Sequence, residues 1–454
     1  MSMNRSIEHY WRTEGQALPL ATRQNEERLV QPKRKPGMQW AYAAVLLFVI
    51  IYFFRPEDWI HGASAVPFEK ISGGVAILAF GLGLLARGLP TFPREIKLLF
   101  LLFLQMCLSV PFAIWRGGSF DLVFTEISKI LLITVVIAIC INRLERLRML
   151  FYVQALAALF ITIFSIYRQT FDQYGRLTGA IGGVFGNPND LALSLAIAVP
   201  LCFILMLESR SLLGRTFWVA VTVILSYGVM QTFSRSGFLA LVTAVVACLA
   251  LFGKVLRVRG AAILVSIAIL VTFAVALTPR YQKRIASIVF QEQLDETGSA
   301  FARRELALKS VEVALEHPLF GIGPGNFSIV SGNWHVSHNT FLQLAADAGI
   351  PALLLFVVLL RSLYRKLRDI SRKDTAGRRV QIYANGLRAA LLCYVVAAFF
   401  ADTAYQFFPY FLVAYGSLVC EIARRSSFEA QKRMAFPKTA ATPVTTAFHQ
   451  LVTI

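Results

Sequence analysis

Residues 338–360, HNTFLQLAADAGIPALLLFVVLL, place a histidine and an asparagine directly before a long apolar run. A run of about 20 apolar residues is long enough to cross the hydrocarbon core of a bilayer as a helix. The segment therefore predicts a membrane-spanning helix with a polar start, and it raises the question of what a histidine does at that boundary.

Runs of this kind recur along the chain. Of the 454 residues, 56% are hydrophobic, well above the roughly 45–50% that is usual in soluble domains, and the mean hydropathy is +0.60. The fold class predicted is an all-α polytopic integral membrane protein with about 12 transmembrane helices. We place these spans at 38–54, 68–86, 98–115, 122–141, 149–166, 190–208, 216–232, 236–253, 261–278, 338–360, 386–402 and 407–423.

The distribution of positive charge predicts the orientation. The net charge is +19, but it is spread over short loops rather than gathered on a soluble domain, which argues against a nucleic-acid partner. With a cytoplasmic N-terminus, 31 of the 45 Lys and Arg residues fall on the cytoplasmic side, 11 fall outside, and 3 lie in or beside spans. This bias predicts both termini in the cytoplasm.

Three regions follow from this topology. We expect a basic cytoplasmic tail at 1–37, without a secretory signal peptide, a transmembrane domain at 38–423, and a cytoplasmic tail at 424–454. The long connection 279–337 would lie outside and would carry a helix across roughly 300–316. The six cysteines lie inside apolar segments without metal-ligand spacing, so neither disulfides nor zinc are expected.

Three outside-to-inside helices begin with polar signals: GNPND at 186–190, FSRSG at 233–237 and SHN at 337–339. Asn, Asp and Ser are favoured N-cap residues, and we assign Ser337 as the cap of the third helix. Helix N-termini carry partial positive charge and free N–H groups, so a cluster of these starts would favour an anion.

Arginines and one histidine lie close to these starts. Arg235 occupies a very short outer turn, either reaching the lipid headgroups or binding phosphate through its guanidinium fork. Arg303 and Arg304 belong either to a solvated helix face or to the same anion site. His338 is either part of a polar helix start or a general base, and its spacing from His335 fits no recognised metal motif.

Several of these segments resemble the O-antigen ligase family, which also includes polysaccharide polymerases. The resemblance rests on RRELALKSVEVALEHPLFGIGPGNF at 303–327 and SHNTFLQLAADAGIPALLLF at 337–356. TFSRSGFLAL at 232–241 and GNPNDLA at 186–192 are similar to further motifs of that family. The matching motifs cover roughly 186–356, and the number of spans and the long outer loop agree with the family architecture.

The resemblance implies a glycosyltransferase of the GT-C type in the bacterial inner membrane, working at the periplasmic face without metal, nucleotide sugar or other cofactor. The donor would be a glycan on undecaprenyl diphosphate, and the acceptor a sugar of the lipid A-core. His338 would be the base, giving inversion, and Arg235 and Arg303 would bind the diphosphate, with Arg304 as the competitor of Arg303. The supporting positions would be Asn187, Asn189, Ser234, Gly323, Asn339 and Gln343.

Other functions remain open at this point. A polymerase of the same superfamily would use another lipid-linked glycan as acceptor, and a further relative would glycosylate a protein. A polysaccharide flippase or transporter would need charged residues near the middle of spans. Lys129 and Asp402 are the candidates for such charges, whereas most polar residues gather at the outer surface.

Overall fold

The computed structural model describes residues 39–60, 62–88, 91–253, 299–332, 336–373 and 376–435. Within these ranges the chain is helical, and its ordered elements are joined by short turns and loops. The long helices are α1 (Gln39–Phe54), α2 (Phe68–Arg87), α3 (Arg94–Ser109), α4 (Arg116–Cys140), α5 (Leu144–Tyr167), α6 (Pro188–Glu208), α7 (Leu212–Gln231), α8 (Arg235–Phe252), α9 (Ser299–Glu316), α10 (Thr340–Arg372), α11 (Arg378–Ala398) and α12 (Phe407–Ala435).

Eleven helices of the described part are long and apolar enough to cross a membrane. They correspond to eleven of the twelve predicted spans, which supports a multi-pass membrane protein, while the predicted span 261–278 lies outside the described residues. The predicted outer helix at 300–316 is present as α9. The prediction that the eleventh span extends to residue 402 is wrong, because α11 ends at Ala398 and the next residues form a loop.

The helix α6 lies at the centre of the bundle. Of an apolar 18-residue stretch of α6, 89% is buried inside the protein, compared with 28% for the corresponding stretches of α2 and α7. The helix packs against α5, α7, α8 and α11. A helix that is apolar on every side can be surrounded by other helices without burying unpaired polar groups. The polar residues at its two ends are thereby held at fixed positions at opposite ends of the bundle.

One end of the bundle is fixed by ion pairs between helix termini. The guanidinium of Arg379 at the start of α11 donates to Glu208 at the end of α6 and to Glu145 at the start of α5, both at 2.8 Å. Lys366 near the end of α10 pairs at 2.8 Å with Glu95 at the start of α3. Because these residues lie at helix ends, the charges are kept away from the apolar middle of the bundle.

The helix α10 is interrupted in the middle. Gly349 has φ 84° and ψ 167°, and Pro351 follows it. A side chain at Gly349 would collide with the backbone of Leu319 and Phe320. Since such a backbone conformation and such close approach suit glycine alone, Gly349 allows the helix to break where residues 318–327 pack against it.

The break leaves backbone groups that a membrane interior cannot hydrate, and neighbouring segments satisfy them. Ile322 N–H donates to the Ala346 carbonyl at 3.0 Å, and Gly323 N–H donates to the Asp347 carbonyl at 2.8 Å. The carbonyl of Ala348 accepts a hydrogen bond from the side chain of Gln105 in α3 at 3.0 Å. The glycine-rich turn is therefore built into the bundle.

Candidate functional site

The start of α10 is capped by Asn339. Its Oδ1 accepts from the N–H groups of Phe341 at 2.9 Å and Leu342 at 3.1 Å. The prediction that Ser337 caps this helix is wrong, since the Ser337 hydroxyl instead donates to the carbonyl of Asn339 at 3.0 Å. Asn339 is the better cap because its side-chain Oδ1 reaches both N–H groups. His338, the residue before this cap, therefore lies outside the helix.

His338 is held in a backbone conformation that few side chains adopt. Its φ of 52° lies in the left-handed region, where histidine, asparagine and aspartate are enriched among non-glycine residues. The side chain is 30% exposed, and its Nδ1 lies 3.9 Å from Oδ1 of Asp402, which is 29% exposed. The imidazole is therefore accessible and has a carboxylate beside one of its two nitrogens.

The loop that carries Asp402 is bonded directly to the start of α10. The Thr340 hydroxyl donates to the Ala401 carbonyl at 2.6 Å and accepts from the Thr403 N–H at 3.0 Å. Thr340 and Thr403 are completely buried. These two hydrogen bonds on either side of Asp402 fix the carboxylate relative to His338, only two residues before Thr340.

Two carboxylates lie close together at this end of the bundle. Burial raises the pKa of Asp402 to about 6, so the carboxylate is mostly ionised at neutral pH. Asp190, near the start of α6, is close enough to interact electrostatically with Asp402, and its Oδ2 accepts from Gln406 at 3.4 Å. The start of α6 and the α11–α12 loop thus meet next to His338.

The predicted polar starts of α6 and α8 also meet. Asn187 caps α6 by accepting from the Asn189 N–H at 2.8 Å. The Ser234 hydroxyl caps α8 by accepting from the Gly237 N–H at 3.1 Å and donates to Oδ1 of Asn189 at 2.7 Å. A residue in one predicted motif therefore binds a residue in the other, and both helix N-termini face the same region.

Arg235 is the first residue of α8 and directly follows the Ser234 cap. Its side chain is partly buried. The structure places it beside the bond between Asn189 and Ser234, at the positive end of a helix. An arginine at this position adds a full positive charge to the partial charges of two helix N-termini.

The two adjacent arginines of α9 differ in their surroundings. Leu306 and Val313 of α9 are buried in a cluster with Ala346 of α10, so this face of α9 lies against α10. Arg303 precedes Leu306 by one turn and is partly buried, whereas Arg304 is exposed. Because consecutive helical residues differ by about 100° in direction, Arg303 shares the packed face and Arg304 does not.

The glycine-rich turn that includes Gly323 packs against the entry of α4. Gly323 has φ 99°, and an added Cβ would collide with Ala113 and would lie 2.6 Å from the Ser119 hydroxyl. The Ser119 hydroxyl donates to the carbonyl of Pro324 at 2.9 Å. Gly323 thus contributes through its backbone, where a side chain would not fit. The turn that includes it connects α9 to the interrupted part of α10.

Asp347, which the sequence analysis did not single out, holds this turn in place. Its carboxylate is buried and accepts from the N–H groups of Gly325 at 3.1 Å and Phe327 at 3.0 Å. It also accepts from the Tyr405 hydroxyl at 3.0 Å. This buried carboxylate accepts from three donors and so connects the turn, α10 and the loop that carries Asp402. In the sequence, the nearby Gly349 and Pro351 of α10 were the feature that could have drawn attention to Asp347.

Gln343 lies one turn into α10 and is 7% exposed. Its Oε1 has no hydrogen-bond partner among the described residues, and neither does Oε1 of Gln406 in the α11–α12 loop. A buried carbonyl oxygen without a donor is unfavourable. These two acceptors could bind hydroxyl groups, such as those of a sugar.

The other residues that the sequence analysis named do not all lie at this site. Lys129 forms a 2.9 Å ion pair with Glu126, and both side chains are largely exposed, whereas Asp402 belongs to the His338 cluster. His335 lies outside the described residues. Within the described ranges, no group of three or more His, Cys, Asp or Glu side chains is placed to hold a metal ion.

The fold and the site together define a multi-pass helical membrane protein with a polar site at one end of the bundle. Residues 220–357 match the family model described as O-Antigen ligase. Over these residues the match supports the resemblance to the O-antigen ligase family. No curated protein matched the chain.

The matched region contains Arg235, Arg303, Gly323 and His338. Asn189 and Asp402 lie outside it and join the site through the contacts described above. The match supports, in general terms, a glycosyltransferase-like enzyme of the O-antigen ligase or polymerase type that acts on glycan and lipid-linked substrates.

Proposed function

We propose that the protein transfers a glycan from undecaprenyl diphosphate to a hydroxyl group of the lipid A-core at the periplasmic face of the bacterial inner membrane. The observation that carries this proposal is the pairing of His338 with Asp402 at the end of the bundle where the N-termini of α6, α8 and α10 gather. A proton acceptor and several positive groups therefore occupy the same end.

In this mechanism His338 is the general base. Its Nε2 removes the proton from the acceptor hydroxyl while the oxygen attacks the anomeric carbon of the donor. The bond from that carbon to the diphosphate breaks, and undecaprenyl diphosphate leaves with the electron pair. Attack from the face opposite the leaving group inverts the anomeric configuration.

Asp402 would be the positioning residue for this base. A carboxylate near Nδ1 favours the tautomer with the proton on Nδ1, which leaves Nε2 free to accept a proton. The same negative charge stabilises the imidazolium that forms during the reaction, as in other His-carboxylate pairs. The two bonds between Thr340 and the Asp402 loop support this role because they fix the distance between the two side chains.

Arg235 and Arg303 would bind the diphosphate. A leaving group of this kind develops negative charge, and preorganised positive groups stabilise it most where water is excluded. Arg235 stands at the N-terminus of α8, and Arg303 lies on the face of α9 that packs against α10. The metal independence that the family resemblance implies stays a prediction, and these arginines are the groups that would take the place of a metal.

The acceptor side would include Asn339 and Gln343. Gln343 supplies a buried oxygen that has no donor among the described residues, which suits a sugar hydroxyl. The supporting roles of Asn187, Asn189, Ser234 and Gly323 would be to hold the helix starts and the glycine-rich turn in position. The hydrogen bonds of these residues support that role.

The experiment is a transfer assay with purified protein in proteoliposomes that contain an undecaprenyl-diphosphate-linked glycan and lipid A-core. We expect glycan attached to lipid A-core, with release of undecaprenyl diphosphate. Growth of longer lipid-linked glycan without the lipid A-core product would instead identify a polymerase. Absence of both products from folded protein would refute glycan transfer.

A further inference from the structure

A cavity lies at the end of the bundle opposite His338. It has a volume of about 680 Å³ and is formed by the segment before α3, the last turns of α10 and the last turns of α12. Lys366, one of its lining residues, follows Thr340 by more than seven helical turns, which corresponds to roughly 35–40 Å along α10. The cavity is therefore separate from the candidate catalytic site.

The carboxylates of this cavity already have positive partners. Glu95 pairs with Lys366 at 2.8 Å. Glu421 accepts from both Arg424 and Arg425, at 2.8 and 2.6 Å. The third carboxylate, that of Asp369, pairs with Arg368 at 3.6 Å. Each acidic residue among the described lining residues therefore has a positive partner.

Two further cations line the cavity, Arg94 and Lys373. Neither forms an ion pair with any carboxylate in the described part of the chain. Arg94 is also the first residue of α3, which begins without a side-chain cap, so the free N–H groups of that helix start add partial positive charge. Among the described residues that line the cavity, positive charge is thus in excess of negative charge.

Ser417 supplies an independent sign of a missing partner. This residue of α12 lines the cavity, is 1% exposed, and its hydroxyl has no hydrogen-bond partner among the described residues. A buried hydroxyl without a partner is costly. With a serine O–H and two cations as donors, the group that fits is an acceptor with negative charge, such as a phosphate oxygen.

The cavity also has an apolar side. Phe92, Ile370 and Phe428 line it, and Phe428 is 64% exposed at the outer edge. Inorganic phosphate has no apolar group that could contact this surface, whereas a phospholipid places acyl chains next to its headgroup. Basic pockets between transmembrane helices are typical binding sites for anionic lipid headgroups, and a volume of this size fits a small ligand.

We propose that this cavity binds the phosphate headgroup of an anionic phospholipid in the leaflet opposite His338, with Arg94, Lys373 and Ser417 as its ligands. This lipid would connect α3, α10 and α12. The proposal does not depend on the glycan-transfer reaction, because none of these residues belongs to the candidate catalytic site.

Native mass spectrometry of the purified protein titrated with phosphatidylglycerol tests this site. We expect Arg94→Gln/Lys373→Gln to weaken binding of the first lipid about tenfold, and Ser417→Ala to weaken it severalfold. The matched control is Arg210→Gln/Arg365→Gln, which removes two exposed cations from the same end but outside the cavity. It should bind within twofold of wild type.

Phosphatidylethanolamine and inorganic phosphate serve as the comparison ligands. We expect both to bind at least tenfold more weakly than phosphatidylglycerol. Equal loss in the control, or unchanged binding in both Ser417→Ala and the Arg94/Lys373 variant, would overturn the proposal. Inorganic phosphate binding as tightly as the lipid would show a site for a soluble phosphate and would overturn it as well.

Discussion

Nδ1 of His338 lies 3.9 Å from Oδ1 of Asp402, although the two residues belong to different parts of the fold. His338 directly precedes the capped start of α10, and Asp402 lies in the loop between α11 and α12. Thr340 bonds that loop on both sides of Asp402. The pair is therefore preorganised by the hydrogen bonds between the Thr340 hydroxyl and the backbone of that loop.

Asp402→Asn should reduce transfer while making the folded protein more stable at pH 8. In the proposed mechanism the carboxylate orients His338, so we expect at least a tenfold loss of kcat. Burial raises the pKa of Asp402 from its ordinary value of 3.8 to about 6. The folded state thus binds the proton of the Asp402 carboxyl group more tightly than the unfolded state does. The stability that this tighter proton binding contributes is lost as the pH rises from about 4 to 6.

Thermal unfolding of both proteins across this pH range checks the prediction. The Tm of Asp402→Asn minus that of wild type should increase between pH 4 and pH 6 and then level off. A variant that loses activity and is also less stable at pH 8 would show that Asp402 supports the fold rather than the base.

Arg303 and Arg304 should differ strongly in function. We expect Arg303→Ala to lower kcat/KM for the lipid-linked donor by about 10- to 100-fold, the usual loss for a charge-assisted hydrogen bond. Arg304→Ala is the matched control, because it removes the same charge from the exposed side of α9, and it should stay within threefold of wild type. Steady-state kinetics with a purified donor measure kcat/KM for both variants. A larger loss in Arg304→Ala than in Arg303→Ala would show that the packed face of α9 does not bind the diphosphate.

Asp347→Ala should destabilise the protein more than Tyr405→Phe. The alanine variant leaves the N–H groups of Gly325 and Phe327 and the Tyr405 hydroxyl without an acceptor, at a cost of about 3 kcal/mol or more. The phenylalanine variant removes one of three donors and should cost about 1 kcal/mol. Equal Tm values for the two variants would mean that the carboxylate does not hold the glycine-rich turn.

The bond between Asn189 and Ser234 should couple the starts of α6 and α8. Ser234→Ala removes both a helix cap and this bond, whereas Asn189→Ala removes the bond alone. A double-mutant cycle on the free energy of unfolding should give a coupling of about 1 kcal/mol. Simple additivity of the two losses would show that the two helix starts are stabilised independently.

The spans and the polar helix starts could be predicted because both depend on local sequence. Long apolar runs require a membrane-spanning helix, and Asn187, Ser234 and the residues around His338 mark helix starts by their capping chemistry. That these starts meet at one end followed from the alternating direction of the spans. The direct bond between Asn189 and Ser234 could not be predicted, since it depends on the packing of α6 against α8.

The partners of these residues depend on contacts between distant segments. Asp402 was assigned to the end of a span because the apolar run continues up to it, whereas α11 ends four residues earlier. Asp347 gains its role only when the turn at 321–327 packs against the break at Gly349. The packed face of α9, which distinguishes Arg303 from Arg304, also depends on where α10 lies.

The most direct test of the proposed function is the transfer rate of His338→Asn in proteoliposomes. Asparagine tolerates the left-handed conformation of residue 338, so the variant should fold with a Tm close to that of wild type while lacking a base. We predict that transfer falls at least 100-fold while donor binding is retained. Full transfer by folded His338→Asn would contradict the assignment of His338 as the catalytic base.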